Sequence, residues 1–329
     1  METRIDQRRV DAFARRMAGQ LNEAMLALLT SIAHQTGLFD AMGALPPATS
    51  QAIAAAAGLD ERYVREWLGA MVTGRIVDYD GVRGTYYLPP EHAASLTRAA
   101  GASNLARRAP RVAALAQLEG ALVERFRDGG GLPSASFARL EELDASEVVE
   151  NASNLLAAFE TDWPDLAAAL DAGIEVLELR SGLRPAVSPV VERFHRSRWS
   201  VRDPSDCSAM PAQDLVITWE ALAGHPDPEG LLGAIREALR PDGHLVCVEA
   251  AASSNLADNL DRTCAPLLYA TSTMHSLPVS AAAGGTALGM MWGEERARQM
   301  LAATGFLPTG ASPLGADSCR ICLVARPCT

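Results

Sequence analysis

The chain reads as an α/β protein on three observations. Residues 45–88 run helix, turn, helix, hairpin. Residues 91–172 keep helical character almost throughout, and from Gly173 onward short apolar strands alternate with helices. Such alternation implies a largely parallel sheet, because parallel neighbours need a crossover between them. With 329 residues and 48% hydrophobic composition, the chain suffices for two cores of ordinary domain size. The expected divisions are 1–100 (helical and winged-helix), 101–172 (helical linker or lid) and 173–329 (sheet domain).

Residues 5–42 read as two amphipathic helices, the second carrying Leu21, Met25, Leu28, Leu29 and Ile32 at helical spacing. A turn from Leu45 to Ser50 ends in a capping residue and opens a short helix, Gln51–Ala57. Gly58-Leu59-Asp60 turns the chain and caps a longer helix, Glu61–Thr73. Ile76–Leu88 has strand character on both sides of Asp80-Gly81, a hairpin turn. These elements make a winged helix. The break Asp128–Pro133 in the helical stretch fits either a mobile lid or a long connection.

In the sheet domain Val176–Leu179 is the first strand and Ala186–His195 a helix. Trp199–Asp203 and Leu215–Trp219 are the next strands, and Pro228–Leu239 is a helix. Arg240–Gly243 then turns into the strand His244–Glu249.

A net charge of -11 argues against a nucleic-acid partner, which needs cationic groups for phosphates. The helix Glu61–Thr73 has mixed rather than basic charge, so DNA binding is not expected of the winged helix. Six cysteines over this length do not make a disulfide framework, and no apolar run reaches membrane-spanning length. The first twenty residues are charged and amphipathic, unlike a signal peptide; a cytoplasmic setting without membrane partners is expected. Every basic residue is arginine, as a GC-rich coding bias would give.

Val176-Leu177-Glu178-Leu179-Arg180-Ser181-Gly182-Leu183-Arg184 resembles the first strand and cofactor loop of winged-helix, Rossmann-like S-adenosylmethionine-dependent small-molecule methyltransferases of actinobacterial type. Leu239–Leu245 resembles the family's turn into its fifth strand, and Asp214–Thr218 its fourth strand. Ser253–Asn259 and Ala265–Tyr269 resemble its substrate-covering insertion. Ser272–His275 and Gly289–Glu295 resemble further segments of the group, and Thr304-Gly305-Phe306 opens the final hairpin. The resemblance spans nearly the whole chain. It implies an N-terminal helical and winged-helix domain that forms a homodimer, followed by a shortened Rossmann-like, class I methyltransferase-type parallel sheet domain.

Two departures bear on the cofactor. The family's loop is Gly-x-Gly-x-Gly, where a side chain would intrude on the ligand. Here Gly182 is the middle glycine, while Arg180 and Arg184 stand in the outer places. Furthermore, only residues 204–213 separate Asp203 from the next strand, and a strand-helix-strand crossover takes about thirty residues. One βαβ step is therefore expected to be missing, and Asp203 matches either the ribose-binding acid after strand two or the adenine-side acid after strand three. Glu178, Gly182 and Asp203 are the cofactor-binding candidates if a cofactor binds. None is expected as the chain stands; S-adenosylmethionine is implied if the family function is retained.

Arg180 and Arg184 either fill the altered loop and pair with nearby acids, or hold a carboxylate or phosphate of another ligand. His275, in the presumed lid, is the leading general base, with His225 and Glu294 as further catalytic candidates. Tyr269, Met274 and Trp292 are candidates to line the substrate cavity. Cys319 and Cys322 form a CxxC on an expected strand, where residues three apart face opposite ways, so no metal site is expected. The expected function is a diverged enzyme of specialised metabolism acting on a small molecule by acid-base chemistry, such as cyclisation, elimination, rearrangement or hydrolysis. The alternatives are an active S-adenosylmethionine-dependent methyltransferase and a non-catalytic partner of an active methyltransferase paralogue.

Overall fold

The computed structural model describes residues 5–180, 189–207, 210–315 and 319–328. The chain forms two compact units, Met1–Gln117 and Leu118–Thr329. In the first, α1 (Gln7–Thr36) and α2 (Leu38–Ala44) meet at Gly37, whose φ of 73° favours glycine. The sequence pattern suggested two helices, the second carrying Leu21 to Ile32; instead these residues belong to the first helix, whose 30 residues run through Gly19, and the second is the short α2. α3 (Ser50–Ala57) is capped by Thr49 and α4 (Glu61–Thr73) by Asp60, each side chain accepting a backbone N–H of the first turn.

The wing is β1 (Asp78–Asp80) and β2 (Thr85–Tyr87), antiparallel. Its turn is longer than an Asp-Gly pair suggests. Asp80 Oδ1 accepts the amides of Val82 and Arg83, and the positive φ falls at Gly84. α5 (Pro90–Leu96) and α6 (Ala109–Ala116) complete the unit. Its core centres on Phe39 and Trp67, stacked edge-on at 5.4 Å, with the Trp67 indole donating to the Leu29 carbonyl.

The second unit opens with α7 (Glu119–Asp128), α8 (Ala138–Thr161) and α9 (Pro164–Ala172). β3 (Glu175–Leu179), α10 (Pro189–Arg193), β4 (Arg198–Arg202) and β5 (Gln213–Trp219) follow. Next come α11 (Ala221–Gly224), α12 (Pro228–Ala238), β6 (Leu239–Ala250), α13 (Ala265–Thr271) and α14 (Leu277–Ala282). The unit closes with α15 (Glu294–Ala303) and the antiparallel pair β7 (Phe306–Pro313) and β8 (Arg320–Pro327). The six strands are ordered β4-β3-β5-β6-β8-β7, the first four parallel.

Alternation along the strands divides the core into two layers. Leu177, Val216, Leu245 and Cys247 face α12 and α15; Val176, Leu215, Ile217 and Val246 face α8, α9 and α10. β6 begins earlier than the sequence suggested. The expected Arg240–Gly243 turn is a bulge inside the strand, between the pairs Gln213↔Leu239 and Leu215↔His244.

β4 is an edge strand lying directly beside β3. Residues 203–212 then carry the chain past β3 to β5, and their described part has neither helix nor strand. Cys207 and Met210 pack from this segment onto the α12 side of the core.

Candidate functional site

Ligands of open parallel sheets bind outside the carboxyl ends of the strands, where the chain order reverses. Here that place lies between β3 and β5, because β3 leads to β4 on one side and β5 to β6 on the other. Arg180 follows the last residue of β3, and its amide continues the ladder by donating to the Arg202 carbonyl. Arg180 is 6% exposed and its side chain lies beside that of Glu178, itself 4% exposed, with Nε to Oε2 at 3.8 Å. Burial pushes the Glu178 carboxyl upward, and the Arg180 charge offsets only part of that. Gly182 and Arg184 lie outside the described residues.

Asp203 comes directly after β4, and its Oδ1 accepts both the amide and the hydroxyl of Ser205, at 2.9 and 2.6 Å. His225 sits between α11 and α12. Its Nε2 lies 3.1 Å from the Pro204 carbonyl and its Nδ1 2.7 Å from that of Asp227. The ring thus ties the 203–212 connection to the loop after β5.

His275 lies in a single π-turn, Ser272–Ser276, that joins α13 to α14. Its ring packs 4.8 Å from that of Phe137, a fully buried residue just ahead of α8. Tyr269 and Met274 are half-buried on the same helical run, and Tyr269 accepts the Thr273 hydroxyl through its carbonyl. The Asp128–Pro133 break is packed against this lid: the Leu132 amide donates to the Pro278 carbonyl. At Gly131 an added Cβ would stand 2.1 Å from that same oxygen, so glycine lets the backbones meet.

Glu294 begins α15 and accepts from Arg298 Nε at 2.7 Å. Next to it, Glu295 accepts from the Ser254 amide and the Ser253 hydroxyl, which hold its carboxyl down at about 2. Trp292 is buried and donates its indole N–H to Glu249 Oε2 at 3.4 Å.

Glu249 and its neighbours escaped the sequence reading, where Glu249 merely ended a strand. It is 2% exposed near the C-terminal end of β6, and its Oε1 accepts the Leu222 amide. Burial, with the nearby Glu220 charge, pushes its carboxyl up to about 8. Glu220 has a φ of 48°, unusual for a residue with a side chain, and pairs with Arg320 at 2.9 Å. The available signal was an acid closing an otherwise apolar run, Leu245–Glu249.

A cavity of about 330 Å³ between α8 and the Pro313–Gly315 turn holds none of these side chains. Among the described residues, no cluster of His, Cys, Asp and Glu could hold a metal, and no helix is long and apolar enough to cross a membrane.

Parallel sheet, terminal antiparallel hairpin and N-terminal winged helix together define a class I methyltransferase-type fold carrying a winged-helix module. Residues 24–98 match the Rv2258c-like winged HTH domain family. The mitomycin 7-O-methyltransferase MmcR shares the fold at 16% identity and a TM-score of 0.69, covering 98% of this chain and 100% of that one. Human N-acetylserotonin methyltransferase, solved in complex with SAM, is 17% identical with a TM-score of 0.64 and covers 100% of both chains. CalO1, a methyltransferase in calicheamicin biosynthesis solved with SAH, is 15% identical with a TM-score of 0.68, over 98% of this chain and 100% of that one. No curated protein matches the chain by sequence.

Proposed function

We propose that the chain is an enzyme of specialised metabolism that uses the methyltransferase fold on a small molecule without S-adenosylmethionine. The observation that carries this reading is Arg180. At the first place of the cofactor loop a passing ligand needs bare backbone. Arg180 instead fills that place with a buried side chain beside Glu178. Arg180, buried against Glu178, does not fit the cofactor there.

The chemistry is acid-base: cyclisation, elimination, rearrangement or hydrolysis. His275 is the general base, taking a proton from a substrate hydroxyl or activated carbon. Phe137 fixes the imidazole plane from one side, and the π-turn sets the histidine apart from the regular helical register. Tyr269, Met274 and Trp292 form the substrate wall, while Glu294 and His225 support it. A homodimer is supported by α1, which exposes Val10, Phe13, Met17, Leu21, Met25 and Ile32 along one stripe.

One observation favours a second reading, S-adenosylmethionine-dependent methylation: two proteins of the same fold were solved with SAM or SAH. Metabolite profiling of a host expressing the wild type and His275→Ala separates the two. A wild-type product isomeric with its precursor, or differing by water, and lost in His275→Ala, supports the proposal. A product heavier by one methylene overturns it.

A further inference from the structure

We propose that Glu249 is a proton-operated latch on the turn Met290–Trp292: the protonated carboxyl holds the turn closed, and lifting of the turn hands the proton to water. The device is independent of the reaction and of any cofactor.

Glu249 shares a strand face with Cys247, and Cys247, Leu222 and Trp292 belong to one core layer. Its Oε1 accepts the Leu222 amide and its Oε2 the Trp292 indole N–H, each at 3.4 Å. Both bonds are longer than the usual range for such donors. Among the described residues no cation pairs with Glu249. A carboxylate charged in this place is therefore worse off than in water, and it gains water only if one of its covering contacts moves.

The two contacts differ in how they are anchored. Leu222 follows Glu220, whose amide extends the sheet by donating to the Val248 carbonyl at 2.8 Å. That side stays with the strands. Met290–Trp292 is a three-residue turn between Gly289 and Gly293, whose φ values of 71° and 83° suit glycine. Two hydroxyls help hold it: Ser272 Oγ accepts the Met290 amide at 3.0 Å, and Ser254 Oγ donates to the Trp292 carbonyl at 2.7 Å. A short turn with permissive ends and side-chain tethers is the part that can swing.

The surrounding charges set the direction. Glu220, with its φ of 48°, stands at the end of β5 and pairs with Arg320 of β8. Cys247, behind Glu249 on β6, stays a thiol, pushed up to about 12 by burial. On α15, Glu294 is engaged by Arg298 and Glu295 by Ser253 and Ser254. Burial first, then the Glu220 charge, lifts the Glu249 carboxyl from 4.5 to about 8, and its two N–H bonds offset only part of this. The closed state thus keeps a proton that the open, hydrated state gives up between those two values. The open population should rise about tenfold per pH unit across that window and level off above it.

Hydrogen exchange of the full chain, read by mass spectrometry from about pH 5 to 9 and divided by the intrinsic rate at each pH, tests the latch. Opening of segment 289–293 is expected to rise about tenfold per pH unit, then flatten, while β3 and β5 stay protected. In Glu249→Gln, which cannot ionise, the same segment should open independently of pH. A wild-type segment 289–293 that opens independently of pH would overturn the latch, and so would a slope that persists in Glu249→Gln. Exchange of 289–293 in step with β3 and β5 would also overturn it, since the proton would then be lost by global unfolding. The wild-type segments decide that last point without any variant.

Discussion

Arg180 Nε lies 3.8 Å from Glu178 Oε2, and both side chains are more than nine-tenths buried at the end of the first sheet strand. A buried pair of this kind stabilises little in itself, but removing one partner strands the other. Arg180 also stands at the first place of the stretch that resembles a cofactor loop, so the proposed function and this buried contact involve the same residue.

Replacing Arg180 with Met should therefore destabilise the protein in a pH-dependent way. Glu178 already has a raised carboxyl, so its folded form holds a proton that the unfolded chain releases, and stability falls as pH rises above the unfolded value. Without the cation this fall steepens. Urea unfolding should show a loss of about 2 kcal/mol near neutral pH and little loss near pH 4.

Glu249 gives the opposite experiment. Its carboxyl is raised from 4.5 to about 8, so its contribution to stability declines between those two values as pH increases. Glu249→Gln cannot ionise. Thermal melts should show the variant equal to wild type near pH 4 and more stable by about 3 kcal/mol at neutral pH. A variant less stable at neutral pH would mean the carboxylate is held charged.

Two glycines separate backbone approach from helix propensity. At Gly131 a methyl group would press on the Pro278 and Ala282 backbones at 2.1 and 2.2 Å, and Gly131→Ala should cost about 2–3 kcal/mol. Gly120, inside α7, has nothing within 4 Å of an added Cβ, so Gly120→Ala should gain about 0.5–1 kcal/mol. Chemical denaturation of both variants checks the contrast.

The α1 stripe predicts association. Leu21→Glu with Met25→Glu puts two charges on exposed apolar positions without touching the buried core of the first unit. Light scattering should show a dimer for wild type and a monomer for the variant at about micromolar concentration. A wild-type monomer would contradict the homodimer.

Local chemistry made much of the fold legible. Asp60 caps α4 as its position after Gly58-Leu59 suggests, and the apolar runs at Val176, Leu215 and Leu245 became the interior strands. The short interval after Asp203 suggested that no strand-helix-strand crossover lies there, and the described part of 203–212 has neither helix nor strand. Other features are set by pairing and burial and were not legible. Glu249 looked like any acid at a strand end until the fold enclosed it beside Trp292 and Glu220. The long α1 was misread because helical periodicity alone does not say where one helix stops and another starts.

The most direct measurement is calorimetric titration of the wild-type protein with S-adenosylmethionine and S-adenosylhomocysteine. With Arg180 buried beside Glu178, the account predicts no binding at about millimolar ligand. A dissociation constant of about micromolar for either ligand would contradict it, and would restore methyl transfer as the activity of this fold.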